Sequence, residues 1–157
     1  MQNEINAAKR VVIKVGSSLL IRDGALDKQW LTGLAEEIKT ASARGQQIMV
    51  VTSGAVALGS AGAGLDRQTM TLEQSQAAAA IGQIALTQGW QDCLADKGLK
   101  AAQILLTLGD TEQRRRYLNA RRTLQALLDM GTVPVINEND TVATQELRYG
   151  DNDRLAA

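Results

Sequence analysis

Short runs rich in β-branched residues alternate along this chain with longer segments whose apolar residues recur every three or four positions. The four short runs are "RVVIKV", "QIMVVT", "KAAQILLT" and "TVPVIN", which begin at Arg10, Gln47, Lys100 and Thr132. Such runs predict strands, and the longer periodicity predicts amphipathic helices. These helices are predicted over residues 27–44, 72–97 and 114–131. The alternation predicts an α/β fold, a three-layer α/β/α sandwich with a mostly parallel sheet.

Capping and helix-breaking residues refine these elements. Asp27 can cap the first long helix, which is predicted to stop at Gly45. Gly82 and Gly89 leave open whether the second helix is one straight rod. Pro134 would remove a hydrogen bond from the middle of a sheet, so we expect it in the first residues of its strand or on an edge strand.

Two other segments are predicted to lie outside the main helices. "LGSAGAGL", residues 58–65, is predicted to be a mobile loop, because its glycines lack the spacing and the preceding strand of a dinucleotide-binding fingerprint. The phosphate-binding pattern G-x-x-x-x-G-K-[ST] is absent from the chain. "TVATQELRY", residues 141–149, alternates loosely and is predicted to be a hairpin arm that returns to "GDND".

Composition adds little about partners. The chain has 157 residues, of which 45% are hydrophobic and 22% charged, and this suits one globular domain. Lys plus Arg and Asp plus Glu both number 17, so no overall field favours nucleic acid or an anionic membrane. The unbroken apolar run from Ala77 to Ile81 is too short to span a bilayer, and "MQNEINAAKR" lacks the apolar core of a signal peptide. We therefore expect a cytoplasmic protein.

The residue inventory excludes several kinds of active site. There is no histidine, which excludes serine triads and histidine metal sites. The single Cys93 excludes an internal disulfide and a cysteine-only zinc site, and its helical surroundings predict a small buried apolar side chain. Lysine, arginine, acids, hydroxyls and backbone amides remain. These groups suit phosphoryl transfer, which needs positioning and charge neutralisation more than a tuned base.

Polar residues follow three of the predicted strands. They are Lys14, Gly16, Ser17 and Ser18 at the first strand, Thr52, Ser53 and Gly54 at the second, and residues 137–140 at the fourth. The carboxyl ends of parallel strands meet at one crevice. Glycine and successive amides there can approach a phosphate, and a lysine adds a point charge. An ordinary turn with a solvated lysine, and a helix cap at Ser53, remain alternatives.

Acids and amides recur in the loops "NEND", residues 137–140, and "GDND", residues 150–153. The acids could bind a metal or an ammonium group, while asparagine offers a donor and an acceptor to a carboxylate. Alternatively, Asp151 or Asn152 could cap a helix that begins at Asp153. Capping accounts for one residue in each loop and leaves the other polar groups without a structural reason.

Five arginines lie on the third predicted helix: Arg114, Arg115, Arg116, Arg121 and Arg122. They are predicted to lie opposite its apolar stripe, which contains Tyr117, Ala120, Leu124 and Leu127. Aromatic residues make up only 3% of the chain, which disfavours a nucleic-acid surface. A solvated helix face or an oligomer contact is the preferred interpretation.

Seven segments form an ordered set from about Lys9 to the last residue: "VVIKVGSSLL", "VVTSGAVALG", "AAAAIGQ", "QILLT", "RYLNARRTLQALL", "VPVINENDTVAT" and "YGDNDRLAA". Together they resemble the glutamate 5-kinases, a branch of the amino acid kinase family. "VINEND" and "GDND" with "TSGA" are specific to that branch. The resemblance implies a kinase that uses ATP with Mg²⁺ to phosphorylate the side-chain carboxylate of L-glutamate. The product would be L-glutamyl 5-phosphate, in the first step of proline biosynthesis.

The same resemblance implies a role for individual residues. Lys14 would be a catalytic residue that binds the transferred phosphoryl group, and Gly16 and Ser17 would supply ATP- or phosphate-binding amides. Asp153 would be a second catalytic residue that orients Lys14. Magnesium is expected with ATP, but no residue is assigned to hold it.

The glutamate site would contain Ser53, Asp140 and Asn152, with Gly54, Asn137 and Asp151 as neighbours. Asp140 or Asp151 could pair with the substrate's α-ammonium group. The resemblance further implies a homo-oligomer, proline as a feedback inhibitor and a functional link to glutamyl phosphate reductase, with no nucleic-acid or membrane partner.

The chain stops at Ala157, where the kinase domain of that family continues into a nucleotide-binding half with a second catalytic lysine. We therefore expect residues 1–157 to be the N-terminal, substrate-binding part of such a domain, without the nucleotide-binding half or the C-terminal accessory domain. Alone, it is expected to be weakly active or inactive. Two alternatives remain: a kinase for acetylglutamate, aspartate or carbamate, and a non-catalytic half-domain that binds glutamate or proline.

Overall fold

A four-stranded parallel sheet with helices on both faces forms the framework of the protein in the computed structural model, which describes residues 2–142 and 151–157. The sheet contains β1 (Arg10–Val15), β4 (Gln47–Thr52), β5 (Lys100–Leu106) and β6 (Thr132–Glu138), in the order β1-β4-β6-β5. A small antiparallel hairpin consists of β2 (Ile21–Arg22) and β3 (Ala25–Leu26). The predicted α/β class and mostly parallel sheet are confirmed.

Eight α-helices and one 3₁₀ helix occur in these described ranges. They are α1 (Gln2–Ala7), α2 (Ser17–Leu20), α3 (Lys28–Ala43), α4 (Ala55–Ala63), α5 (Leu72–Ala95), α6 (Leu108–Glu112), α7 (Arg114–Asp129), the 3₁₀ helix (Asp140–Val142) and α8 (Asp151–Ala156). In the same ranges, no helix is both long enough and apolar enough to cross a bilayer.

The strand order explains why helices lie on both faces. The chain advances across the sheet from β1 to β4 and then to β5, and it returns to insert β6 between them. Because parallel crossovers are right-handed, the advancing connections put α3 and α5 on one face, whereas the returning connection puts α7 on the other. The result is the three-layer sandwich that the alternating pattern predicts. In open α/β sheets of this kind, ligands bind in a crevice at the carboxyl ends of the strands.

The main core lies between the sheet and the α3–α5 side. Alternate residues of β1 and β4, such as Val15 and Val50, meet Leu31 of α3 and Leu86 of α5, and all four are buried. Trp90 of α5 is fully buried, and its indole N–H donates to the hydroxyl of Thr52 at a distance of 3.1 Å. Cys93 is a buried free thiol in this core, as predicted. The core therefore fixes α5 against the last residue of β4.

Helix α3 begins and ends at the predicted residues. The side chain of Asp27 accepts a hydrogen bond of 3.0 Å from the backbone N–H of Trp30, which satisfies one of the unpaired donors at the start of the helix. The chain leaves the helix after Arg44, and Gly45 has a φ of +83°. Glycine adopts this left-handed conformation without the steric penalty of a Cβ atom.

The glycine-rich segment at residues 58–65 was expected to be a loop, and that expectation is wrong. Gly59 and Gly62 lie inside α4, and Gly64 ends it with a φ of +66°. A Cβ atom on Gly59 would lie 1.7 Å from the backbone oxygen of Ala78, and one on Gly82 would lie 1.9 Å from that of Ala55. The glycines therefore allow α4 and α5 to pack at backbone contact.

Three other local expectations have clear outcomes. Gly82 and Gly89 do not interrupt α5, which is a single helix of 24 residues. Pro134 lies among the first residues of β6, which confirms one of the two predicted alternatives, and pairing of β6 with β4 begins at Val135, beyond the proline. The other alternative, an edge strand, is wrong because β6 is central. The hairpin arm predicted over residues 141–149 falls mostly outside the described residues, although Thr141 and Val142 belong to the 3₁₀ helix.

The hairpin of β2 and β3 was not predicted. Its two central residues, Asp23 and Gly24, have φ values of +51° and +77°. An Asp-Gly pair is favoured in two-residue hairpin turns because both central residues need positive φ. The signal was present in "IRDGAL", but the flanking strands have only two residues each.

We expect Gly82→Ala to lower the free energy of unfolding by about 1–3 kcal/mol, because the new methyl group would overlap the backbone of α4. Gly33→Ala is the matched control. Gly33 lies in α3 with open space around its Cα, and the change should raise stability by about 0.5–1 kcal/mol. Urea unfolding monitored by circular dichroism measures both effects. Equal stabilisation by the two changes would contradict the close helix contact.

Candidate functional site

The carboxyl ends of three strands lie side by side and carry the predicted polar residues. In the sheet register, Val15 of β1 pairs with Thr52 of β4, and Val51 pairs with Ile136 of β6. Helix α8 packs against these three strands. The structure thus brings together seven of the predicted site residues: Lys14, Ser17, Ser53, Gly54, Asn137, Asn152 and Asp153.

Gly54, in the turn after β4, lies close to the turn after β1. Its φ of +116° lies in the left-handed region, where residues with a Cβ atom are strained. A Cβ atom there would also lie 2.8 Å from Cδ1 of Ile21 and 3.7 Å from Cβ of Ser17. Glycine at this position therefore lets the backbone before α4 lie close to the start of α2.

Side-chain amides connect β4, β6 and α8. The Nδ2 atom of Asn152 donates to Ser53 Oγ at 3.0 Å and to Asn137 Oδ1 at 3.2 Å. The backbone N–H of Glu138 donates to Asn137 Oδ1 at 2.9 Å and to Asn152 Oδ1 at 3.2 Å. Asn137 is almost completely buried. These bonds define the amide network of this site, made by Ser53, Asn137, Asn152 and the Glu138 backbone.

Gln83 of α5 extends this network and was not predicted as a site residue. Its Oε1 atom accepts from Asn137 Nδ2 at 2.8 Å, and its Nε2 atom donates to the hydroxyl of Thr87 at 3.1 Å. The segment "AAAAIGQ" was recognised only as a family motif. A glutamine at the end of an alanine run, four residues before a threonine, was the available signal.

Lys14 and Asp153 form an ion pair beside the amide network. Lys14 Nζ lies 2.8 Å from Asp153 Oδ1. The side chains are 39% and 65% exposed, so solvent screens the pair and it adds little to stability. Lys14 projects from the face of β1 opposite the main core, because its neighbours Ile13 and Val15 point into that core. The pair therefore fixes the position of the ammonium group more than it stabilises the fold.

Asp140 and Asp151 lie at the ends of the neighbouring elements. Asp140 is half-buried and begins the 3₁₀ helix, which packs on α5 two residues after β6 ends. Asp151 is the first residue of α8. Because α8 begins at Asp151, the alternative that Asp151 or Asn152 caps a helix beginning at Asp153 is wrong. Asn152 lies in the first turn, and its side chain belongs to the amide network.

Comparison with known proteins shows the family of the chain. The sequence model of the amino acid kinase family matches residues 9–157. The chain belongs to the amino acid kinase family. The site described above is therefore the strand-end crevice of an amino acid kinase.

Within this family, the chain is similar to proteins named glutamate 5-kinase. Glutamate 5-kinase 1 of Mesorhizobium japonicum is 59% identical over 150 residues, which cover 95% of this chain and 40% of that protein. The glutamate 5-kinase of Cereibacter sphaeroides is 54% identical over 154 residues, or 98% of this chain and 42% of that protein. The glutamate 5-kinase of Rhizobium rhizogenes is 54% identical over 157 residues, which cover 99% of this chain and 40% of that protein. The chain thus spans about two-fifths of the length of these curated relatives.

A cavity of about 370 Å³ lies between α7 and the sheet, on the face of the sheet opposite α3 and α5. Met49, Ile136 and Leu124 are among its lining residues. Arg121 lines it as well, so the expectation that all five arginines lie opposite the apolar stripe is wrong for Arg121. The five arginines are exposed, and Arg116 pairs with Asp110 at 3.3 Å.

The remaining strand of the sheet, β5, also ends in a polar turn. After β5, Thr107 is the N-cap residue of α6. Asp110 Oδ2 accepts from the Thr107 backbone N–H at 2.8 Å and from its hydroxyl at 2.7 Å. The Thr107 backbone N–H, then its hydroxyl, and more weakly Arg116 hold the pKa of the Asp110 carboxyl below its ordinary value. The charged form of Asp110 therefore stabilises this turn.

We expect Asp110→Ala to lower the free energy of unfolding by about 1 kcal/mol at neutral pH, since it removes a capping acceptor. The folded-state pKa is depressed, so this contribution is present above the unfolded pKa and is lost as pH falls through the folded pKa. The difference between the two proteins should therefore shrink below about pH 4. Urea unfolding of the wild type and of Asp110→Ala at a series of pH values measures this difference in the free energy of unfolding. Glu112→Ala, at an exposed acid on the same helix, is the control. A difference that is independent of pH would contradict the role of the charge.

Proposed function

We propose that this chain forms the amino-acid-binding part of a glutamate 5-kinase, which transfers the γ-phosphoryl group of ATP to the side-chain carboxylate of L-glutamate. The product is L-glutamyl 5-phosphate, made in the first step of proline biosynthesis. The observation that carries this proposal is Asn152, whose amide bridges Ser53 and Asn137 beside the Lys14–Asp153 pair. Relatives named glutamate 5-kinase, 52–59% identical to this chain, support the choice of substrate.

The amide network suits the amino-acid end of glutamate. Ser53 Oγ accepts a bond from Asn152, so the Ser53 hydroxyl proton is directed to another acceptor, which we propose is a substrate carboxylate. Gly54 and Asn137 are proposed to be neighbours of the bound amino acid. Asp140 or Asp151 supplies the negative charge for the α-ammonium group. A zwitterionic ligand thereby meets a hydroxyl donor, amides and an acid within a short stretch of strand ends.

The opposite end of the site suits the phosphoryl group. A carboxylate nucleophile is already ionised at neutral pH, so the reaction needs no general base, and the lack of histidine is no obstacle. The main barrier is repulsion between that carboxylate and ATP. Lys14 offsets this charge, the backbone amides of Gly16 and Ser17 bind phosphate oxygens, and Asp153 holds the Lys14 ammonium group in position.

ATP is proposed to bind as its Mg²⁺ complex, because Mg²⁺ is bound mainly by substrate phosphates and water with few protein carboxylates. In the described parts of the chain, no three acids or cysteines lie close enough together to hold a metal ion. These residues therefore do not fit a metal site made by this chain alone, and the roles of Lys14 and the strand-end amides do not depend on one.

Several wider properties accompany this proposal and rest on the resemblance to the family. They are a cytoplasmic location, a homo-oligomeric enzyme, inhibition by proline and a functional link to glutamyl phosphate reductase. A proline inhibitor would share an ammonium and a carboxylate group with glutamate, so competition in the glutamate pocket follows from the proposed chemistry.

We expect the 157-residue chain to bind L-glutamate in a calorimetric titration and to bind acetylglutamate, aspartate and carbamate more weakly. Residues 9–157 should also replace the matching part of the Mesorhizobium japonicum enzyme. The hybrid should then form glutamyl hydroxamate from glutamate, ATP and hydroxylamine, because hydroxylamine traps the acyl phosphate. The unaltered relative is the positive control. A folded hybrid that prefers another acceptor, or accepts none, would overturn the proposal.

We expect Asp140→Ala to raise the KM of the same hybrid for glutamate by roughly tenfold or more, since a hydrogen bond to a charged group contributes about 1.5–3 kcal/mol. The KM for ATP should change little, because this acid is proposed to contact only the amino-acid end. Asp96→Ala, at the exposed end of α5, is the control and should change neither value. Equal increases in both KM values would contradict this assignment.

A further inference from the structure

Gln83 lies behind the amide network. It occupies α5, is half-buried and contacts the network through Asn137. The nearly complete burial of Asn137 means that an incorrectly oriented Asn137 amide would leave polar atoms without partners. The orientation of the Gln83 amide therefore affects the orientation of Asn137 and, through the bond from Asn152, the rest of the amide network.

The hydrogen bonds have one consistent direction. Gln83 Nε2 donates to Thr87, so its Oε1 faces Asn137 and accepts from Asn137 Nδ2. That bond turns Asn137 Oδ1 toward Asn152 Nδ2, from which it accepts. Asn152 Nδ2 in turn donates to Ser53 Oγ. The Glu138 backbone N–H, which can only donate, holds the Oδ1 ends of both asparagines, and Gln83 Oε1 accepts from the opposite end of the Asn137 amide.

The backbone holds Gln83 at the correct distance for this task. The preceding residue, Gly82, lies at backbone contact with Ala55 and Gly59 of α4. Helix α4 begins directly after Ser53 and Gly54. The same helix contact therefore sets the position of Gln83 and that of Ser53, the two ends of the chain of hydrogen bonds.

We infer that Gln83 is a positioning residue that, together with the Glu138 backbone N–H, holds the Asn137 amide in this orientation and thereby leaves the Ser53 hydroxyl proton free to be donated to the bound amino acid. Gln83 acts through Asn137 and Asn152 and does not contact the substrate. The effect on glutamate binding rests on the proposed function, whereas the effect on the two asparagine amides does not.

Two substitutions separate positioning from packing. Gln83→Met keeps the size but removes the acceptor for Asn137, and glutamate affinity should fall roughly tenfold. Gln83→Glu keeps an acceptor oxygen toward Asn137, and the Thr87 hydroxyl can donate to its other oxygen, so affinity should stay within about twofold. A packing role predicts the reverse order, because methionine suits a half-buried site better than a carboxylate does. Calorimetry measures affinity, and urea unfolding measures stability.

Gln88→Met is the matched control. Gln88 is an exposed glutamine on α5 whose Nε2 also donates to a residue four positions later, Asp92 Oδ1, at 2.6 Å. Removing it takes away the same kind of bond at a distance from the site. Glutamate affinity should be unchanged.

Nuclear magnetic resonance of the ligand-free chain provides a test that does not depend on the substrate. The side-chain NH₂ signals of Asn137 and Asn152 should shift in Gln83→Met and stay close to those of the wild type in Gln83→Glu and Gln88→Met. Unchanged Asn152 signals in a folded Gln83→Met protein would overturn the inference, as would equal losses of affinity in Gln83→Met and Gln83→Glu. Failure of the wild type to bind glutamate would contradict the proposed function, and the spectra would then decide on Gln83.

Discussion

The backbone contact between α4 and α5 is the constraint on which the site depends. Gly59 and Gly82 face each other's helices at distances that exclude any side chain. Ser53 and Gly54 immediately precede one helix, and Gln83 immediately follows the contact on the other. Since α5 is also held to Thr52 through Trp90, the end of β4 and the middle of α5 form one rigid unit. The amide network spans a gap whose width this unit sets.

The neutral and the charged polar groups of the site differ in how deeply they are buried. Neutral donors and acceptors, the amides of Asn137 and Asn152 and the Ser53 hydroxyl, are buried or half-buried and hydrogen-bonded to one another. The charged pair of Lys14 and Asp153 remains partly exposed. Burying a neutral amide with its partners costs far less than burying a charge. The charged residues thus stay hydrated, while the neutral ones satisfy one another within the fold.

The sequence predicted the sheet, the long helices and the convergence of three strand ends, because these follow from periodicity and from the geometry of parallel sheets. It did not predict α4, since the glycines of "LGSAGAGL" have low helix propensity. The structural reason for one of them, Gly59, is a contact with Gly82, 23 positions further along the chain. Gln83 was missed for a similar reason. Its role depends on Asn137, and a separation of 54 positions leaves no local pattern.

Helix α8 connects the two ends of the proposed reaction. Asn152 joins the amide network, while the next residue, Asp153, pairs with Lys14. Successive residues on a helix point about 100° apart, so one short helix can present one side chain to the amino-acid pocket and the next to the phosphoryl end. A shift of α8 would therefore disturb both ends together. Because the proposed transfer requires the carboxylate and the phosphoryl group in line, a link of this kind between the two ends would serve the proposed reaction as well as binding.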